Sequence, residues 1–131
     1  LKMIDDAETL TAKNTGMTLV VAFNYGGRQE IVQAARSLAQ EVKSGSLTVD
    51  AITEDSLAAR LNTAVWPEPD LLIRTGGEER ISNFLLWQCA YTEFVFIPEY
   101  WPDFDGELLK RAISTFHNRE RRFGGLKAQS A

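Results

Sequence analysis

Short apolar runs alternate along the chain with longer stretches in which apolar positions recur every three or four residues, a rhythm that predicts strands alternating with helices. The first run, TLVVAF from Thr18 to Phe23, is rich in β-branched residues and lies between Gly16 and Gly26-Gly27, which predicts a strand covered on both faces. Ile31, Ala35, Leu38 and Val42 then repeat at helical spacing until Gly45, a residue suited to end a helix. Thr53 is placed to cap a second helix, with Glu54 and Asp55 in its first turn and Leu57 and Leu61 on its apolar side. After the Pro67-Glu68-Pro69 turn, Leu71-Leu72-Ile73 predicts a second strand running into Arg74-Thr75-Gly76-Gly77, followed by a helix from about Asn83 to Ala90. Phe94 to Ile97 predicts a third strand, closed by Pro98 and an aromatic loop, Tyr100-Trp101-Pro102, read as packing. Leu108, Leu109, Ala112, Ile113 and Phe116 mark one face of a last helix that turns basic at Arg119, Arg121 and Arg122.

Strands alternating with helices predict an α/β fold, a parallel sheet covered by helices on both faces and joined by right-handed crossovers. No internal repeat or linker divides the chain, so residues 1–131 are expected to form one domain, and a partial one. Three strands make a thin sheet, and Leu1 to Leu10 reads as the middle of a helix with no initiator Met. Both features lead us to expect a fragment whose N-terminal partner lies elsewhere.

With 131 residues and 44% apolar content, the chain can bury a core. Its net charge of -4 argues against a general nucleic-acid surface, which needs an excess of Lys and Arg, so any anion site must be local. The single cysteine, Cys89, cannot form an internal disulfide, and a cytoplasmic location is the expectation. No apolar stretch approaches the roughly 20 residues of a membrane span.

Chemistry concentrates in DLLIRTGGEERISNFLLWQ, residues 70 to 88, where two glycines and two arginines stand between a predicted buried strand and a predicted helix. Parallel sheets bind ligands beyond the carboxyl ends of their strands. Gly76 and Gly77 would let backbone amides approach an anion, and Ser82 is placed to cap the helix beginning near Asn83. Arg74 and Arg80 add planar, multi-donor charge suited to phosphate oxygens. The alternative is a plain turn whose arginines pair with Glu78 and Glu79. No GxxxxGK[ST] loop is present, and NYGGR at Asn24 to Arg28 is not GxGxxG, so nucleotide hydrolysis and dinucleotide binding have no support. Asp5-Asp6 lacks a second aspartate at metal-sharing spacing and reads as a solvated helix face. His117, the one histidine, cannot build a histidine metal cluster and reads as an exposed helix residue. Glu93, just before an apolar strand, is either a metal ligand or a strand-edge charge.

Four blocks in order resemble the undecaprenyl diphosphate synthase family of cis-prenyltransferases: AxNTGxTL at Ala12 to Leu19, AFNYGGRQEI at Ala22 to Ile31, the 70 to 88 block, and WPDF through RERRFGG to Gly125. The resemblance implies the C-terminal half of a cis-prenyltransferase fold and repeated condensation of isopentenyl diphosphate with an allylic diphosphate such as farnesyl diphosphate. It implies that Arg74, Arg80 and Ser82 hold isopentenyl diphosphate, with Ile81 in backbone contact. It also implies that Glu93, in the context AYTEF, is an acidic ligand of magnesium (Mg2+), and that Arg122 and Gly124 reach across a homodimer to the partner's diphosphate. The lipid product implies a peripheral contact with the membrane at release.

The family's N-terminal block, an aspartate followed by Gly-Asn and an Arg-Trp pair, is absent from these 131 residues, as is the asparagine and arginine region that handles the allylic substrate. No catalytic residue is therefore assigned within this chain, which is expected to be inactive alone. Two alternatives stand beside this reading: a non-catalytic partner subunit and a generic phosphate-binding module. Met17 and Leu19, at the start of the first predicted strand, either help set product length or pack as ordinary core.

Overall fold

Two of the three expected strands form, and they pair in parallel. In the computed structural model, which describes residues 2–119, β1 (Leu71–Arg74) runs beside β2 (Glu93–Phe96), with Leu71 opposite Glu93 and Arg74 opposite Phe96. The two exits stay tied beyond the ladder. Ile97 N donates to Arg74 O at 2.8 Å, Gly77 N to Ile97 O at 3.0 Å, and Gly76 N to Glu99 O at 2.8 Å. Val95 and Ile97 pack with Ala112, and Leu71, Ile73 and Phe104 close around them. Ala112 belongs to α4 (Gly106–His117), a helix started by Asp105, whose carboxylate accepts from the amides of Glu107 and Leu108.

Local rules account for the other helices. The α2 helix (Gly27–Ser44) ends where Gly45 adopts φ 77 and donates back to Glu41 O and Val42 O. Its buried face is Gly27, Glu30, Ala34 and Leu38 rather than the Ile31, Ala35, Leu38 and Val42 stripe. Ala34 takes the place expected of Ala35, which is exposed. Thr53 caps α3 (Glu54–Ala58) in a reciprocal box with Ser56, and Arg60 Nε donates to Glu41 Oε1 at 2.7 Å, fastening the α3 region to α2. The first helix, α1 (Lys2–Thr11), is exposed throughout, Asp5 and Asp6 included.

Two expectations fail. Residues Thr18 to Phe23 do not form a strand: they belong to neither β1 nor β2 and enter no ladder among the described residues. A strand exists only with a neighbour to satisfy its backbone groups, and here Leu19, Val20, Val21 and Phe23 are exposed. Nor is there a helix from Asn83 to Ala90, which is instead a succession of turns. Ser82, Asn83 and Leu85 take φ of 46°, 65° and 47°, values that interrupt a right-handed helix.

Candidate functional site

Beyond the carboxyl end of β1 the chain turns at Gly76 and Gly77, with φ of 87° and 72°, values open to glycine at little steric cost. The turn returns Arg80, Ile81 and Ser82 to Arg74. Arg74 Nη1 donates to Ser82 Oγ at 2.9 Å and also to the carbonyl of Arg80. Glu78 lies between the arginines, one carboxylate oxygen on Arg74 Nη2 and the other on Arg80 Nη2. Arg74, Arg80 and Ser82 are thus gathered in one place, while Ile81 turns its carbonyl to the amide of Phe84 at 2.9 Å. The amides of Gly76 and Gly77 are spent on Glu99 and Ile97. They do not present an anion nest, so the glycines serve the geometry of the turn and the side chains supply the positive charge. Ser82 caps no helix, because none follows it; its hydroxyl is the acceptor for Arg74.

Three contacts the sequence reading missed hold this loop on α2. Asn83 replaces the side-chain cap that Gly26 cannot supply: its carbonyl accepts from Gly27 N at 2.7 Å, and its Oδ1 accepts from Arg28 N at 2.9 Å. A Cβ on Gly27 would meet Leu86 Cγ at 2.9 Å and Asn83 O at 3.2 Å, so the close approach requires glycine there. Phe84 packs edge-on against Tyr25, with ring centres 5.6 Å apart. Glu30, only 2% exposed, accepts from the Tyr25 hydroxyl, from Gln88 Nε2 at 2.9 Å and from Asn62 N at 3.0 Å. Burial, reinforced by the Glu30 carboxylate, holds the Tyr25 phenol well above its ordinary value. The signal in the sequence was available, since Glu30 stands four residues before Ala34 and eight before Leu38, on the apolar stripe itself.

Glu93 lies elsewhere. It begins β2, opposite Leu71, whereas Arg74 ends β1 opposite Phe96, so about 10 Å of strand separates the two. Its carboxylate accepts from Arg119 Nη1 at 2.8 Å, and that guanidinium also donates to Phe94 O. Among the described residues no three His, Cys, Asp or Glu side chains converge to hold a metal ion. One arginine-paired carboxylate does not by itself fit magnesium, which takes near-octahedral oxygen coordination. Arg122 and Gly124 lie outside the described residues. Met17, 93% exposed, and Leu19 are on the unpaired segment and do not pack as core. His117 is exposed in the last turn of α4, and Cys89 is buried and free. No helix among the described residues is long and apolar enough to cross a membrane.

This fold is the one found in lavandulyl diphosphate synthase from Lavandula x intermedia, solved in complex with dimethylallyl diphosphate. The two match with a TM-score of 0.88 and 45% identity, over 94% of this chain and 53% of that one. The class is therefore the α/β cis-prenyltransferase fold. Residues 1–124 match the family model described as "Putative undecaprenyl diphosphate synthase", and the chain belongs to that family. It is 55% identical over 129 residues to an isoprenyl transferase of Agrobacterium fabrum, covering 98% of this chain and 52% of the relative. It is also 55% identical over 125 residues to the ditrans,polycis-undecaprenyl-diphosphate synthase, (2E,6E)-farnesyl-diphosphate specific, of Micrococcus luteus, covering 95% of this chain and 50% of the relative. The chain spans about half the length of the curated relatives it matches.

Proposed function

We propose that this chain supplies the isopentenyl diphosphate site of a homodimeric, magnesium-dependent cis-prenyltransferase that extends farnesyl diphosphate toward undecaprenyl diphosphate. The observation that carries the reading is the gathering of Arg74, Arg80 and Ser82 at the carboxyl end of β1. Two guanidiniums and a hydroxyl present several N–H and O–H donors to phosphate oxygens, and charge-assisted bonds of this kind are the strong ones. Ile81 adds a backbone contact. In the reaction, the allylic carbon–oxygen bond of farnesyl diphosphate breaks while a bond to the alkene carbon of isopentenyl diphosphate forms, a proton leaves, and negative charge gathers on the departing diphosphate. Cationic donors stabilise that charge.

The remaining groups come from outside the described residues. A principal aspartate would join Glu93 in holding magnesium, and Arg122 and Gly124 of each protomer would reach the other's diphosphate. The setting is the cytoplasm, with membrane contact at product release. A non-catalytic subunit would have no need to keep the set Arg74, Arg80, Ser82 and Glu93. A generic phosphate module relying on Gly76 and Gly77 is disfavoured by the engagement of both amides.

A chimera tests the reading: residues 1–124 replace the matching half of the Agrobacterium fabrum isoprenyl transferase. With farnesyl diphosphate, labelled isopentenyl diphosphate and magnesium it should yield long polyprenyl product. The change Arg80→Ala should raise the KM for isopentenyl diphosphate about tenfold or more, the loss expected for a charged hydrogen bond. A folded, dimeric chimera whose KM ignores Arg80→Ala and Arg74→Ala would overturn the assignment.

A further inference from the structure

We infer that Glu78 is an internal anion that holds the place of the substrate's diphosphate between Arg74 and Arg80 and thereby sets the affinity of the site. The inference rests on the reading of those arginines as the diphosphate-binding pair. Its basis is the way the carboxylate is divided: one oxygen engages Arg74 and the other Arg80, so a single anionic group spans two guanidiniums, one at the end of β1 and one in the loop that returns to it. A phosphate would be divided in the same way, oxygen by oxygen.

Glu78 is brought there by the backbone. The left-handed Gly76 and Gly77, tied to Glu99 and Ile97, fold the chain back over the end of β1 and place Glu78 four residues past Arg74. The next residue, Glu79, is exposed and holds no ion pair among the described residues. The arrangement therefore belongs to one carboxylate and not to a diffuse acidic surface.

Two effects of Glu78 oppose each other. It organises the arginines, which favours ligand binding, and it occupies their donors, which hinders it. Occupation should win. Arg74 keeps its position without Glu78, through Ser82 Oγ and the Arg80 carbonyl. The Glu78 side chain is 44% exposed and that of Arg80 61%, so the pair is open to solvent and easily parted. A diphosphate carries more charge than a carboxylate and can satisfy both guanidiniums at once.

The test is calorimetric titration of the 131-residue chain with isopentenyl diphosphate at fixed ionic strength. Glu78→Gln should bind about three- to tenfold tighter than the unaltered chain, the gain from freeing the exposed Arg80 and the partly buried Arg74 from one half-exposed carboxylate. Glu79→Gln removes the same charge without touching either arginine and should change binding by less than about twofold. Glu78→Ala, which removes the acceptor as well as the charge, should follow Glu78→Gln, and the gain should vanish when Arg80→Ala is added. Equal or weaker binding by both Glu78 variants would mean that the carboxylate organises the site, and would overturn the inference while leaving the site assignment intact. An equal gain in Glu79→Gln would reduce the effect to net charge and overturn it too. Binding in every variant that ignores Arg80→Ala, or no binding in any, would sink the assignment of the arginines and this inference with it.

Discussion

Replacing Glu30 by alanine should be among the most damaging single changes in the described part of the chain. Its carboxylate is buried with no cation beside it among the described residues, held by three neutral donors on three separate segments: the Tyr25 hydroxyl, Gln88 Nε2 and Asn62 N. Tyr25 is half-buried and can turn to water, but Gln88 is only 4% exposed, and its Oε1 already lacks a partner among the described residues. Truncation thus leaves one N–H of Gln88 Nε2 without its acceptor, at about 1–3 kcal/mol. Thr63 Oγ1 keeps the other at 2.7 Å, and water can reach the exposed Asn62. With the small void that opens, a loss of about 2–4 kcal/mol is expected. Glu30→Gln separates geometry from charge. Its amide oxygen can keep both bonds now made to Oε1, while its NH2 would face the Asn62 N–H, donor against donor. The expected loss is about 1–2 kcal/mol. Urea unfolding followed by the fluorescence of Trp66, Trp87 and Trp101 measures both, provided the slope against denaturant is unchanged. A loss below about 1 kcal/mol for Glu30→Ala would show that the buried charge costs nearly as much as its bonds return, and that the network does not hold the fold.

Other consequences follow from the same contacts. Asn83→Ala removes the Oδ1 cap on α2 and should cost about 1 kcal/mol, whereas Asn83→Asp, which keeps the acceptor at a helix N-terminus, should recover most of it; equal melting losses for the two would contradict the capping role. Because burial, then Glu30, raises the folded Tyr25 phenol above its unfolded value of about 10, its contribution to stability is fully present below pH 10 and is lost as pH rises past it. Thermal melts between pH 9 and 11 should therefore fall more steeply for the native chain than for Tyr25→Phe. Burial, with a smaller push from Glu68, raises the Cys89 thiol, so it should react slowly with a disulfide reagent until denaturant is added. Rapid native reaction would mean that the 85–92 region opens readily.

The parts of this fold legible from sequence are those whose cause is local. Thr53 caps α3 with its own neighbours, Gly45 ends α2 by its own conformation, β1 lies between Pro69 and Gly76, and β2 stops just before Pro98. The arginine cluster was legible for a related reason, since a four-residue strand and a glycine turn determine where Arg74 and Arg80 meet. The failures are all tertiary. Thr18 to Phe23 has a strand's composition, yet strand formation is settled by a neighbour that composition does not specify. Glu30 is hidden in the sequence because the stripe Ile31, Ala35, Leu38 and Val42 sets a helical frame that leaves the buried carboxylate off the apolar face.

The missing helix after Ser82 is the most informative of these failures. ISNFLLWQ carries no glycine or proline, and nothing local prevents it from coiling. What prevents it is Asn83, whose carbonyl and side chain are drawn to the uncapped start of α2 and close a contact across 55 residues. The three left-handed residues, Ser82, Asn83 itself and Leu85, cost of order 1–3 kcal/mol each, a strain that persists only where surrounding contacts over-determine it. Those contacts are the cap itself, Phe84 on Tyr25, and Gln88 on Glu30. Such strain beside a cluster of arginines has a structural consequence: Ser82 presents its hydroxyl to Arg74 because the next residue is committed to α2. The geometry of the arginine cluster proposed to bind diphosphate is therefore set as much by Gly27, Arg28 and Glu30 as by the loop that carries it, and changes on α2 should be felt there before they are felt in the sheet.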